Sequence, residues 1–158
     1  MNFKKSFPIG SVNGTEKYLL DSPPLKKHLE QFKNELDINF SKINTQIEFN
    51  DAVAIAGTAT TVACMCFGLK DFIEEKVESA ILKLKDIETL IDKISNLNSS
   101  EILEDYGKIV EGREDIILAG TIILSTVIKK LALDSVRISS WGVRHGAILY
   151  KYSGKNIN

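Results

Sequence analysis

Residues 52–61 read Ala-Val-Ala-Ile-Ala-Gly-Thr-Ala-Thr-Thr, an order of residue types that brings a backbone close to an anion. The apolar run predicts a strand over 51–56 covered on both faces. Gly57 permits a tight turn, and Thr58, Thr60 and Thr61 offer caps to a helix from Thr58 to about Phe67. Amides at the start of that helix have no acceptor within it and point outward, where a phosphate can sit. Gly57, Thr58, Ala59 and Thr60 are therefore the candidate phosphate or ligand contacts. The same strand, turn and helix also occurs in α/β domains that bind no phosphate, so a turn kept only for packing is the competing reading.

Other reactive side chains are sparse. Cys64 and Cys66 are the only cysteines. Two residues apart on a helix, they lie on nearly opposite faces and cannot bridge each other, so they read as small buried hydrophobes. His28 and His145 lie far from them in sequence, and no Cys/His cluster with metal-ligand spacing is present. Nor does any group of carboxylates stand where it could hold a metal and a nucleophilic water, so no catalytic and no metal-ligating residue is assigned.

The elements that must position the glycine turn follow from periodicity. Residues 5–13 read as a strand leading into a short helix that ends near Leu20. Ser22 before Pro23 is a natural N-cap, and Leu25, Leu29, Phe32, Leu36, Phe40, Ile43 and Ile47 recur every three or four residues, which predicts one long amphipathic helix to about Ile47. Residues 71–107 read as a helical insert, with a second stripe at Leu84, Ile87, Leu90, Ile91, Ile94 and Leu97. Asn98-Ser99-Ser100 breaks that stripe and caps a third helix ending by Gly107. The most apolar helix runs from Arg113 to about Leu131, a short strand covers 135–139, and a last helix follows Gly142. The alternation predicts an α/β fold, a sheet with βαβ connections between helical layers.

The chain is 158 residues long and reads as one domain over 1–158. Its 20 basic and 21 acidic residues leave a net charge of -1 with no long basic block, which excludes a general nucleic-acid surface and makes any anion site local. Apolar stretches around 52–67 and 116–128 are short or carry threonine and serine, and the N-terminus lacks an apolar signal core. No membrane partner is expected, and the location is expected to be cytoplasmic.

Four separated segments resemble the exopolyphosphatase/guanosine pentaphosphate phosphatase (Ppx/GppA) family, in its second actin-like domain. They are Ser6-Phe7-Pro8-Ile9-Gly10 and its continuation to Leu19, the glycine turn at 54–58, Arg113 to Gly120, and Ile138 to Tyr150 with its Gly142-Val143-Arg144-His145-Gly146 helix start. The resemblance implies a partial ribonuclease-H-like, actin-like ATPase domain, here a three-stranded sheet remnant packed by helices. It adds Arg144 to the candidate ligand contacts and sets Gly57 and Thr58 on an interdomain cleft. Ala54, Ala56 and His145 stand where the family has glycine, serine and glutamate. Arg113 and Asp115 match an Arg-x-Asp pair, read as structural residues of a helix start.

The family hydrolyses terminal phosphoanhydrides of polyphosphate or guanosine pentaphosphate, typically with magnesium. Its Asp-Ile-Gly-Gly-Gly-Ser phosphate loop and catalytic carboxylates would precede residue 6, and Met1-Asn2-Phe3-Lys4-Lys5 does not contain them. The implied partner is that N-terminal half, and the chain alone is expected to bind no cofactor and to be catalytically incomplete. The alternative is a non-catalytic phosphate- or partner-binding regulatory module. In the family's sheet the phosphate-loop strand lies beside residues 52–56, so the remnant is expected to close that edge or to use it in a homodimer.

Overall fold

The computed structural model describes residues 4–43 and 49–153. One sheet is built from β1 (Val53–Ile55), β2 (Ile81–Lys83) and β3 (Ser135–Ser139), in the order β1-β3-β2. β1 runs parallel to β3, with Val53 opposite Arg137 and Ile55 opposite Ser139. β2 runs antiparallel to it, with Ile81 opposite Arg137. Side chains alternate along each strand, so this register sorts them by face. Leu82, Val136 and Ile138 are buried on one face, whereas Val53, Ile55, Ile81 and Arg137 are exposed on the other.

The buried face is covered by α3 (Gly57–Cys66), which packs on β1 and β3 and in turn against α7 (Ile117–Lys130). α7 buries residues around most of its circumference, from Ile117, Leu118 and Ala119 to Ser125 and Ile128. A helix apolar on all sides must be enclosed, and α1 (Ser11–Tyr18), α2 (Lys26–Phe40) and α5 (Leu84–Ile94) enclose it. α4 (Glu74–Val77) and α6 (Ser99–Tyr106) complete the excursion between α3 and α7, and α8 (Val143–Tyr152) follows β3.

Three expectations need correction. Residues 5–13 form no strand: the chain is irregular to Gly10 and then enters α1. The Asn13 side chain accepts from the Gly10 amide at 2.6 Å and donates to the Pro8 carbonyl at 3.2 Å, which closes the turn locally. Gly14 then lets α1 rest on the Phe32 ring of α2, and tertiary packing overrides a weak strand signal. The insert at 71–107 is not all helical, since it contributes β2 to the sheet edge. The sheet thus has three strands, but its third is Ile81–Lys83 rather than the stretch near Ile9.

α2 begins at Lys26 with Leu25 at its N-cap, not at Ser22, whose hydroxyl accepts from the Ser99 amide at 3.1 Å. The helix ends at Phe40, and the expected continuation over 44–47 lies outside the described residues. Elsewhere the periodic reading holds. Ile87, Leu90, Ile91 and Ile94 are buried along α5, and Asn98 caps α6, accepting from the Glu101 amide at 3.0 Å while Glu101 accepts from the Asn98 amide at 2.7 Å.

Candidate functional site

β1 delivers the chain to α3 through a single residue, Ala56, whose φ of 76° and ψ of 178° fall in a region natural to glycine and costly, by about 1–3 kcal/mol, for alanine. That strain sits at the helix start named from the sequence. The Thr60 amide is the first of α3 to bond backward, to the Ala56 carbonyl at 3.3 Å, which leaves those of Gly57, Thr58 and Ala59 without an intrahelical acceptor. The Thr60 hydroxyl donates to the Gly57 carbonyl at 3.0 Å.

The Arg113 guanidinium lies across the space a Gly57 side chain would fill: a Cβ there would fall 2.6 Å from Cζ and closer still to both terminal nitrogens. Only glycine permits this approach. No carboxylate among the described residues pairs with that guanidinium or with the one of Arg144. Gly57, Thr60, Arg113, Arg144 and His145 line one open cleft of about 580 Å³, together with Phe72 and Glu74. Two cations against one carboxylate, at a helix start whose dipole also favours negative charge, leave the cleft with an excess of positive charge.

The five sequence candidates separate here. Gly57, Thr60 and Arg144 face the cleft. Thr58 turns its methyl to α7, 2.6 Å from where a Cβ of Gly120 would stand, and Ala59 is buried in the core. Arg113 belongs to the cleft although it reads as a structural residue, because α7 starts only at Ile117 and leaves it in the preceding turns. Its Arg-x-Asp spacing gave no hint of Gly57, 56 positions earlier. Phe72 and Glu74, which carry no motif, and Ser140, which lies in the Ile138–Tyr150 segment without being singled out there, also line the cleft.

Outside the cleft, Glu78 accepts from the Ser140 amide at 2.7 Å, the Ser140 hydroxyl at 2.8 Å and the Ser139 hydroxyl at 3.0 Å. The bonds from Ser140, with that from Ser139, hold its carboxyl below the ordinary carboxylate range. Burial pushes the Cys66 thiol up to about 12 and raises Cys64 as well, and both are free, so neither is a nucleophile at neutral pH. A groove of similar volume between α2, α5 and α7 carries Lys129 against Glu88 at 2.6 Å and Lys130 against Asp37 at 3.0 Å. Those four charges are spent on each other.

A model of the Ppx/GppA phosphatase family matches residues 1–154. A bifunctional 3-dehydroquinate synthase/phosphatase of Fusobacterium nucleatum is 30% identical over 157 residues, covering 92% of this chain and 22% of that protein. Exopolyphosphatase 1 of Mycobacterium leprae is 27% identical over 150 residues, covering 92% of this chain and 44% of that protein. The crystal structure of the Aquifex aeolicus Ppx/GppA family member superimposes with a TM-score of 0.90 at 26% identity, over 98% of this chain and 50% of that one. The chain therefore spans half or less of the length of these relatives. With an α/β fold shared over nearly all its residues and a family match from end to end of the described region, the chain belongs to the Ppx/GppA phosphatase family.

Proposed function

We propose that this chain forms one wall of a cytoplasmic phosphoanhydride-hydrolysing cleft and holds the anionic end of polyphosphate or guanosine pentaphosphate. The observation that carries this reading is the convergence of Arg113 and Arg144 on the strained start of α3. The free amides of α3 bind phosphoryl oxygens, and the two guanidinium groups balance charge that grows as the bridging bond breaks. Magnesium needs oxygen ligands, usually one or two carboxylates besides the phosphates. Among the described residues no group of three His, Cys, Asp or Glu side chains gathers closely enough to hold a metal ion, and the cleft's one carboxylate, Glu74, accepts from the Ser140 hydroxyl at 3.2 Å. These residues do not by themselves fit a metal site. The nucleophilic water and its base come from the companion half.

Titration with inorganic phosphate and pyrophosphate tests the reading: amide shifts at 57–61 are expected at millimolar ligand. Hydrolysis of polyphosphate by the chain alone is expected to stay at background. Absent shifts, or metal-dependent phosphate release abolished by Arg113→Ala, would overturn one half of the proposal each. A second reading, a non-catalytic regulatory module, draws on Ala54, Ala56 and His145, which replace the expected glycine, serine and glutamate. An in-frame Asp-Ile-Gly-Gly-Gly-Ser upstream of Met1 separates the two.

The companion half has a surface to occupy. β1 is an edge strand, Val53 and Ile55 are 55% and 51% exposed on the sheet's outward face, Ile81 lies on the same face across Arg137 of β3, and α8 buries no residue. The Aquifex aeolicus chain is about twice as long as this one, and its remaining half is proposed to cover the equivalent surface. Without it, apolar side chains beside an unpaired edge attract a second copy. The isolated chain is expected to self-associate with rising concentration in sedimentation, and Ile55→Lys, outside the core, to suppress this. A wild-type chain monomeric at every concentration would remove the face from the proposal. No helix among the described residues is long and apolar enough to cross a membrane.

A further inference from the structure

Glu78 lies outside the anion cleft, yet it anchors the turn that carries one side of the cleft. Between β3 and α8, three successive amides must find acceptors. The Ser140 amide donates to Glu78, the Trp141 amide donates at 3.1 Å to the Ser139 hydroxyl that itself donates to Glu78, and the Gly142 amide donates at 3.3 Å to His145 Nδ1. The Trp141 and His145 rings then stack at 5.5 Å and 15°. Glu78 is itself fixed, since its own amide donates to Glu74 at 2.8 Å and that of Ser79 to Ile138 at 2.9 Å. Glu78, with Glu74 accepting more weakly from the Ser140 hydroxyl at 3.2 Å, thus ties the excursion after α3 to the end of β3 and to the residues that reach the cleft.

We propose that Glu78 is the positioning residue of the anion cleft: by holding Ser139 and Ser140 it sets the turn from which α8 presents Arg144 and His145. The proposal rests on the anion-binding reading of that cleft. Its sign is what makes it testable. A carboxylate near an anion site repels the ligand, so if Glu78 acted only through its field, its removal would tighten binding. As a positioning residue it has the opposite effect, because α8 loses its fixed start and the arginine its place.

The test compares wild type with Glu78→Gln and Glu78→Ala in pyrophosphate titrations followed by amide shifts. Trp141, the single tryptophan of the chain, reports the turn by fluorescence, and exchange of the Ser140 amide reports the bond to Glu78. Glu78→Ala is expected to weaken pyrophosphate about tenfold, the scale of one charge-assisted hydrogen bond, with altered Trp141 emission and faster Ser140 exchange. Glu78→Gln keeps one acceptor oxygen and is expected to fall between. Thermal unfolding of both variants confirms that the core is intact. Unchanged or tighter pyrophosphate binding in Glu78→Ala overturns the role of Glu78 alone. If wild type binds no pyrophosphate, the cleft reading falls first and this role with it.

Discussion

Phe32→Ala is expected to lower the free energy of unfolding by about 3–5 kcal/mol, a large part of the roughly 5–15 kcal/mol available to a domain. The ring is fully buried, meets Tyr18 at a centroid distance of 5.5 Å, and is the surface on which α1 rests. A Cβ added at Gly14 would stand 2.8 and 2.9 Å from two ring atoms. With Tyr18 beside it, the ring has no room to yield, so Gly14→Ala costs about 1–3 kcal/mol in the wild-type background. In Phe32→Ala that obstacle is gone. There the same change exchanges glycine for a better helix former and is expected to stabilise by about 0.5–1 kcal/mol. Urea unfolding of the four proteins measures the sign change. An equal cost of Gly14→Ala in both backgrounds would show that α1 does not rest on Phe32.

This contact also explains what the sequence made legible. α5 and β3 are readable because their signals need no partner: a stripe from Ile87 to Ile94 demands a helix, and Val136 and Ile138 alternate with exposed Arg137. The turn at Gly57 is readable for the same reason, its residue types being set by local backbone needs. α1 is not. Val12, Asn13 and Gly14 favour no helix, and only the fit of Gly14 to Phe32, 18 positions later, selects one. β2 is three residues long and runs directly into α5, so its alternation is swallowed by a helical pattern. Arg113 was hidden because its role is defined by an absent side chain at Gly57. Glu78 carries no motif, since its three donors come from residues 61 and 62 positions away.

The cleft inherits this division between local and tertiary information. α3 supplies its amides wherever the glycine turn forms, but two cations must be brought to them by other elements. The turns before α7 bring Arg113, and the turn after β3 brings Arg144. A variant that moves either cation should spare the fold, because neither guanidinium is part of the core.

Gly57→Ala is such a variant, and it should separate stability from binding. A methyl at Gly57 occupies the place of the Arg113 guanidinium, with Cζ at 2.6 Å. The arginine end belongs to a flexible side chain and is half-buried, so it swings away at little cost, and at the first residue of α3 alanine costs nothing, its helix-interior advantage over glycine being small there. Stability is expected to hold or rise. Pyrophosphate binding is expected to weaken about 10- to 100-fold, the worth of hydrogen bonds from a charged donor to phosphate. Arg113→Ala should weaken binding by the same factor without any clash. Once the guanidinium is gone, adding Gly57→Ala should cost nothing further, so the double variant binds like Arg113→Ala alone. Titration of wild type and the three variants closes this cycle. If the two losses instead multiply, Gly57 acts on the anion through its own amide and backbone, and Arg113 stands over it without sharing the ligand.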